Sequence, residues 1–270
     1  MSGIAIFGIT GRMGQTLVRA LRESGSAQPL RLVGAVASPL SVRLGSDAAA
    51  DGVPTGVMIT ADPRAALADA AVAVDFSLPQ CVADNARACI AARAPLLVGT
   101  TGFDGATRAV LDAAAAIIPV LIAPNTSMGV NLVARLVKLA TRALGPGYDV
   151  EISEAHHRTK RDAPSGTALA LGEVVAAERG RKLADVAVFD RHGSVAERQA
   201  GDIGFAVLRA GDIVGEHTVT FAIAGERVEI THRATDRITF ARGALRAAEW
   251  LHRKPPGLYS MDDVLGFDKS

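Results

Sequence analysis

The sequence predicts an α/β chain, a doubly wound parallel sheet joined to a second α+β domain. Two observations predict it. Over roughly the first 125 residues, short apolar runs alternate with helix-length segments, the order that gives a parallel sheet with helices on both faces. From Ser127 the rhythm changes: a long helix ends at a plain break, Gly145-Pro146-Gly147, and after a helix over 166–178 the chain turns β-rich and carries a hairpin pattern. The boundaries drawn from this are 1–126 with 241–270 for the first domain and 127–240 for the second.

Ile4-Ala5-Ile6-Phe7 is a short apolar run and reads as a buried strand. It enters Gly8-Ile9-Thr10-Gly11-Arg12-Met13-Gly14, followed by a helix through about Glu23 that stops near Gly25. Strand, glycine-rich turn and helix form the context of a dinucleotide fingerprint, here spaced GxxGxxG. Glycines let the chain turn tightly, let a pyrophosphate approach the backbone, and let helix and strand pack closely. Leu30 to Val36 is the second strand. Its end, Ala37-Ser38-Pro39-Leu40, lacks the carboxylate that would hold ribose hydroxyls and reject a 2′-phosphate. NADPH is therefore expected to serve at least as well as NADH, with Arg12 and Arg43 as candidate phosphate partners. Val72 to Phe76 reads as the third strand, followed after Ser77-Leu78-Pro79 by a helix to about Ala92. Pro95 to Val98 is the fourth and ends in Gly99-Thr100-Thr101-Gly102, a turn on the crevice side of such a sheet. A helix to Ala116 and a strand from Val120 to Ala123 lead to Pro124-Asn125-Thr126-Ser127.

Gly129 to Leu144 is a long helix, and Val150 to Ala155 a strand. After a helix over 166–178, His217–Ala224 and Arg227–Arg233 flank Gly225-Glu226, read as a type II′ hairpin turn. A helix from Arg242 to His252, expected to return to the first domain, and a polar tail close the chain.

The densest chemistry lies in EAHHRTKRDAPSGT, Glu154 to Thr167. Pro164 disfavours helix before it, and Ser165 is a good N-cap for the apolar run that follows. Gly166 and Thr167 then carry first-turn N–H groups without intrahelical partners, a seat for a carboxylate or phosphate. His156 is the candidate general acid, because an imidazole titrates near neutral pH. Lys160 is the candidate counter-charge, and Arg158 and Arg161 read as surface residues.

Composition removes several classes of function. The 270 residues are 49% hydrophobic, enough for a large core in one or two domains. A net charge of +1 gives no field for nucleic acid or an acidic membrane, and 4% aromatics argue against base stacking. Cys81 and Cys89, eight apart in a predicted helix, cannot bridge and are expected as buried thiols in a reducing compartment. No metal-ligand spacing occurs. The opening MSGIAIFGITG lacks a charged lead, and no run of about 18 uncharged apolar residues is present, so neither signal peptide nor membrane span is expected. A cytoplasmic protein follows.

GxxGRMG at 8–14, VGTTGF at 98–103, EAHHRxKxDAPSGTAL at 154–169, RAGDIVGEHTV at 209–219 and ITHRA at 230–234 resemble the 4-hydroxy-tetrahydrodipicolinate reductase family, long called dihydrodipicolinate reductase. The resemblance runs almost end to end. It implies a homotetrameric cytoplasmic enzyme of lysine and diaminopimelate biosynthesis, with a Rossmann-type domain and a substrate domain whose sheet builds the oligomer. It implies NADPH or NADH as cofactor, touched by Gly8, Ile9, Thr10, Gly11, Arg12 and Met13, by Gly99, Thr100 and Thr101, and by Ala123, Pro124, Asn125 and Thr126. It implies His156 and Lys160 as the proton-donor pair, and His157, Gly166 and Thr167 as contacts to a dicarboxylate substrate. Two positions depart from the family pattern. Ala37-Ser38 stands where an acidic residue often follows the second strand, which leaves Ser38 as the cofactor contact there. Leu78 stands where some members carry an arginine.

Overall fold

The structure is a computed structural model that describes residues 1–23, 30–193 and 196–267. The chain divides into two compact units, residues 1–128 with 238–270, and residues 129–237. Gly25, the expected stop of the first helix, lies outside the described residues.

Unit 1 is built on a seven-stranded sheet in which every pairing is parallel. Its strands are β1 (Ser2–Phe7), β2 (Leu30–Val36), β3 (Ile59–Thr60), β4 (Val72–Asp75), β5 (Leu96–Val98), β6 (Pro119–Ile122) and β12 (Gly257–Tyr259). Their order is β12-β6-β5-β4-β1-β2-β3, so the winding reverses between β1 and β4. Alternate strand residues face opposite sides. Ile4, Ile6, Val72, Val74, Leu97 and Leu121 pack under α1 (Arg12–Glu23), α8 (Ile238–Leu251) and α9 (Met261–Leu265). Ala5, Phe7, Ala73, Leu96, Val98 and Val120 pack under α2 (Pro63–Leu67), α3 (Val82–Ala92) and α4 (Gly105–Ala115). These strands carry an almost unbroken apolar run because both faces are covered. Each large side chain so buried contributes about 1.5–3 kcal/mol.

Several elements differ from expectation. β3 and α2 intervene before the strand expected as the third. The tail read as polar supplies edge strand β12, paired with β6, and α9, which opens with a Ser260–Asp263 capping box. Cys89 is buried in α3, and burial pushes its thiol up, whereas Cys81 ends a single 3-10 turn, Pro79–Cys81, and is only half-buried.

Unit 2 holds α5 (Met128–Leu144, all but its first residue), α6 (Gly166–Glu178) and α7 (Leu183–Val186) with a mixed five-stranded sheet. The sheet comprises β7 (Asp149–His156), β8 (Ala187–Val188), β9 (Ile203–Arg209), β10 (Gly215–Ile223) and β11 (Glu226–Ala234), in the order β11-β10-β7-β9-β8. β10 pairs antiparallel with both β7 and β11, while β7 and β9 run parallel. The β10–β11 loop is Ala224-Gly225, one residue earlier than expected, because Ile223 pairs with Glu226. Gly225 holds the second loop position at φ +84°, so the turn places its left-handed residue second rather than first. Among the described residues no helix is long and apolar enough to cross a membrane.

Candidate functional site

In unit 1 the features expected to hold a cofactor gather at the carboxyl edge of the sheet. β1 ends at Gly8, which turns at φ +80°. A Cβ at Gly8 would lie 2.4 Å from the Phe76 carbonyl oxygen, so the strand ends at the winding reversal touch backbone to backbone. A Cβ at Gly14 would meet the Gly8 and Ile9 carbonyl oxygens at 2.5 Å, which brings α1 hard against the turn. The first bond of the helix is Gln15 N–H to the Gly11 carbonyl at 3.0 Å. The N–H groups of Arg12, Met13 and Gly14 precede it, at the positive end of the helix dipole. Beside them opens a cavity of about 520 Å³, lined in part by Gly8, Thr10, Gly11, Ser38, Leu78 and Cys81. Position, glycine contacts and helix start suit the pyrophosphate and adenosine half of a dinucleotide.

The other expected contacts distribute unevenly. Ile9 is fully buried in the core, so only its backbone can serve a ligand. Arg12 is exposed at the start of α1. Arg43 spends Nη2 on the Asp47 and Ala49 carbonyls at 2.7 Å each, and so holds its own loop. Gly99, Thr100 and Thr101 follow β5, and Ala123 to Thr126 follow β6, on the same sheet edge but outside the cavity lining. Buried Asp75 ties this edge together. Its carboxylate accepts from Ser77 N–H at 2.7 Å, Asn85 Nδ2 at 2.9 Å and Thr100 Oγ1 at 3.3 Å. Burial pushes this carboxyl up, against the pull of those donors. Thr126 is anchored by its hydroxyl, which donates to the Phe240 carbonyl at 2.8 Å.

In unit 2 the buried face of β7 reads Val150, Ile152, Glu154, His156, so a strand period of two carries it from apolar to ionisable. His156 Nδ1 lies 2.6 Å from Glu154 Oε2. Arg209, at the end of β9, spans both carboxylate oxygens at 2.7 and 2.8 Å. Ser165 N–H donates to Glu154 Oε1 at 2.9 Å. Ser165 caps α6 as expected, with Oγ accepting from Ala168 N–H at 3.2 Å and lying 2.9 Å from His217 Nε2. Gly166 and Thr167 open the first turn of α6. Lys160 Nζ donates to both oxygens of the exposed Asp162 at 2.8 Å, and His157 Nδ1 lies 2.8 Å from Thr159 Oγ1. Arg158 and Arg161 are exposed.

The structure thus links His156 to the start of α6 through one carboxylate. The sequence reading had not assigned roles to Glu154, Arg209 and His217. Their signal was present: Glu154 sits two residues before His156 on one strand, and the other two lie in the 209–219 motif.

A glycine-bounded cavity where the winding of the sheet reverses, with a carboxylate-held imidazole in the second unit, is an arrangement that suits an NAD(P)H-dependent oxidoreductase. The family model described as dihydrodipicolinate reductase, N-terminus, matches residues 2–126, and that described as dihydrodipicolinate reductase, C-terminus, matches residues 129–265. The chain belongs to the dihydrodipicolinate reductase family. It is 52% identical to the 4-hydroxy-tetrahydrodipicolinate reductase of Alkalilimnicola ehrlichii over 97% of this chain and 98% of that one. It is 51% identical to the enzyme of that name from Thiobacillus denitrificans, with the same coverage. A dipicolinate-bound dihydrodipicolinate reductase from Paenisporosarcina sp. TG-14 shares the fold, with a TM-score of 0.75 at 22% identity over 96% of this chain and 97% of that one.

Proposed function

We propose that the chain reduces 4-hydroxy-tetrahydrodipicolinate to tetrahydrodipicolinate with NADPH or NADH, in the cytoplasmic synthesis of lysine and diaminopimelate. Unit 1 is the dinucleotide-binding domain; unit 2 is the substrate and tetramerisation domain. The observation that carries the reading is the His156–Glu154 pair coupled to the capped start of α6, an acid beside an anion seat. Exposed Val207 and Leu208 on β9 and Val228 on β11 support burial of the second sheet in a homotetramer.

The substrate ring bears two carboxylates and loses its hydroxyl as water to give a conjugated imine. The nicotinamide, when bound, supplies hydride from C4 to the conjugated carbon. One substrate carboxylate sits on the Gly166 and Thr167 N–H groups, with the Thr167 hydroxyl beside them. His156 delivers the proton that the ring takes up, and His157 is a second polar contact to the substrate. Lys160 balances the dianion, exchanging Asp162 for a substrate carboxylate. Gly8 to Met13, Ser38, Gly99 to Thr101 and Ala123 to Thr126 hold the dinucleotide.

Freshly generated substrate should therefore cause loss of NADPH absorbance, with kcat/KM for NADPH at least equal to that for NADH. No oxidation of either nucleotide would remove the reaction, and a strong NADH preference would remove the reading of Ser38. Lys160→Ala should raise the substrate KM roughly tenfold or more, the usual loss of one hydrogen bond to a charged group. An unchanged KM would take Lys160 out of the anion seat.

A further inference from the structure

We propose that Glu154 is the positioning residue of this enzyme, one carboxylate that aims the proton-donating imidazole and moors the substrate-carboxylate seat at the same time. The inference rests on His156 being the proton donor, as argued above. A carboxylate on a strand face shared with Val150 and Ile152 is costly unless its acceptor sites are filled. Here they are filled. Oε2 takes His156 Nδ1 and Arg209 Nη1, and Oε1 takes Arg209 Nη2 and Ser165 N–H. Burial alone would raise this carboxyl, but the hydrogen bonds from Arg209, His156 and Ser165 outweigh it and hold it below the usual range.

An ionised carboxylate only accepts. The 2.6 Å contact therefore requires the proton of neutral His156 to sit on Nδ1, and the proton passed to substrate to leave from Nε2. That edge of the ring faces the start of β10, where the chain has glycine. A Cβ at Gly215 would stand 3.0 Å from Nε2. The neighbouring imidazole is held out of the chemistry. His217 meets His156 edge-on, with centroids 5.1 Å apart. Burial, then the charge of His156, pushes His217 down to about 4, so it stays neutral while His156 exchanges its proton. His156 is faced by Glu154 on its own strand, bonded at Nδ1, and by His217 on β10, with Arg209 on β9 bound to the same Glu154 carboxylate; His217 is flanked in turn by His232 and Lys160.

The second oxygen does the mooring. Ser165 N–H is held by Oε1, and Arg209 Nη2 also donates to the Asp162 carbonyl at 2.7 Å. Segment 162–165, which delivers the N-cap of α6, is thus pinned to the group that orients the acid. A change at Glu154 should disturb proton delivery and substrate affinity together.

Glu154→Gln tests this, because an amide offers one accepting oxygen where two are needed. We expect kcat to fall about 10²-fold or more, as when an orienting carboxylate behind a catalytic histidine becomes an amide. The substrate KM should rise at the same time. In kcat the double variant with His156→Ala should be no slower than His156→Ala alone, while its substrate KM should still rise. Native kcat in Glu154→Gln, or additive losses of kcat in the double variant, overturn the proposal. Near-native kcat in His156→Ala instead overturns the assignment of the proton donor. Should Glu154→Gln fail to fold, proton–nitrogen NMR of the native enzyme decides, with His156 assigned by its loss in His156→Ala. Neutral His156 protonated at Nδ1 supports the proposal; protonation at Nε2 overturns it.

Discussion

His156→Ala is expected to lower kcat about 10²–10⁴-fold, the range for losing a general acid. The imidazole is buried and bound to Glu154, so its removal strips out the proposed proton carrier and leaves the proposed carboxylate seat at Gly166 and Thr167 in place. Substrate KM should change far less than kcat, the mark of an interaction made in the transition state. Affinity for NADPH, measured by fluorescence titration, should hold, because the expected nucleotide contacts all lie in the other unit. A variant with near-normal kcat would show that the proton comes from elsewhere, with Lys160, the other member of the expected donor pair, as the alternative.

Gly8→Ala is expected to damage both stability and nucleotide binding. A left-handed φ costs an L-residue about 1–2 kcal/mol. The new methyl also falls 2.4 Å from the Phe76 carbonyl oxygen, an atom fixed in backbone, so strands β1 and β4 must part or the turn must unwind. Overpacking of this kind costs typically about 1–3 kcal/mol more. At roughly 2–4 °C per kcal/mol for a chain of this size, Tm should fall by about 5–15 °C. The KM for NADPH should rise at the same time, because the turn that moves also lines the cavity. An alanine variant with native Tm and KM would mean that the close approach imposes no constraint.

Much of unit 1 was legible because its strands are short apolar runs bounded by glycine and proline, and its helices carry a clear period. What escaped notice was short or at the margin. β3 has two residues and no periodicity to read. β12 and α9 lie in a tail whose polar tone hides Leu258 and Met261, although the Ser260–Asp263 capping box was a usable sign. In unit 2, the parallel pairing of β7 with β9 joins segments about fifty residues apart, and no local pattern encodes it. The same distance hid the organisation of the site. His156, His157 and Lys160 announce themselves by composition, but Glu154 acquires its meaning from Arg209, 55 residues later. Ser165 likewise read as a plain cap until His217 was found beside its hydroxyl. Cys81, expected as a buried thiol, closes the 3-10 turn that leads into α3 and is half-buried on the wall of the cavity.

The first unit is interrupted and the second is continuous, which bears on biosynthesis. As the polypeptide leaves the ribosome, residues 129–237 can complete their fold while the seven-stranded sheet still lacks α8 on one face and β12 at its edge. The apolar side chains awaiting α8, Val74 and Leu97 among them, stay uncovered until Ile238–Leu251 has been made. The second unit can therefore fold before the first is closed.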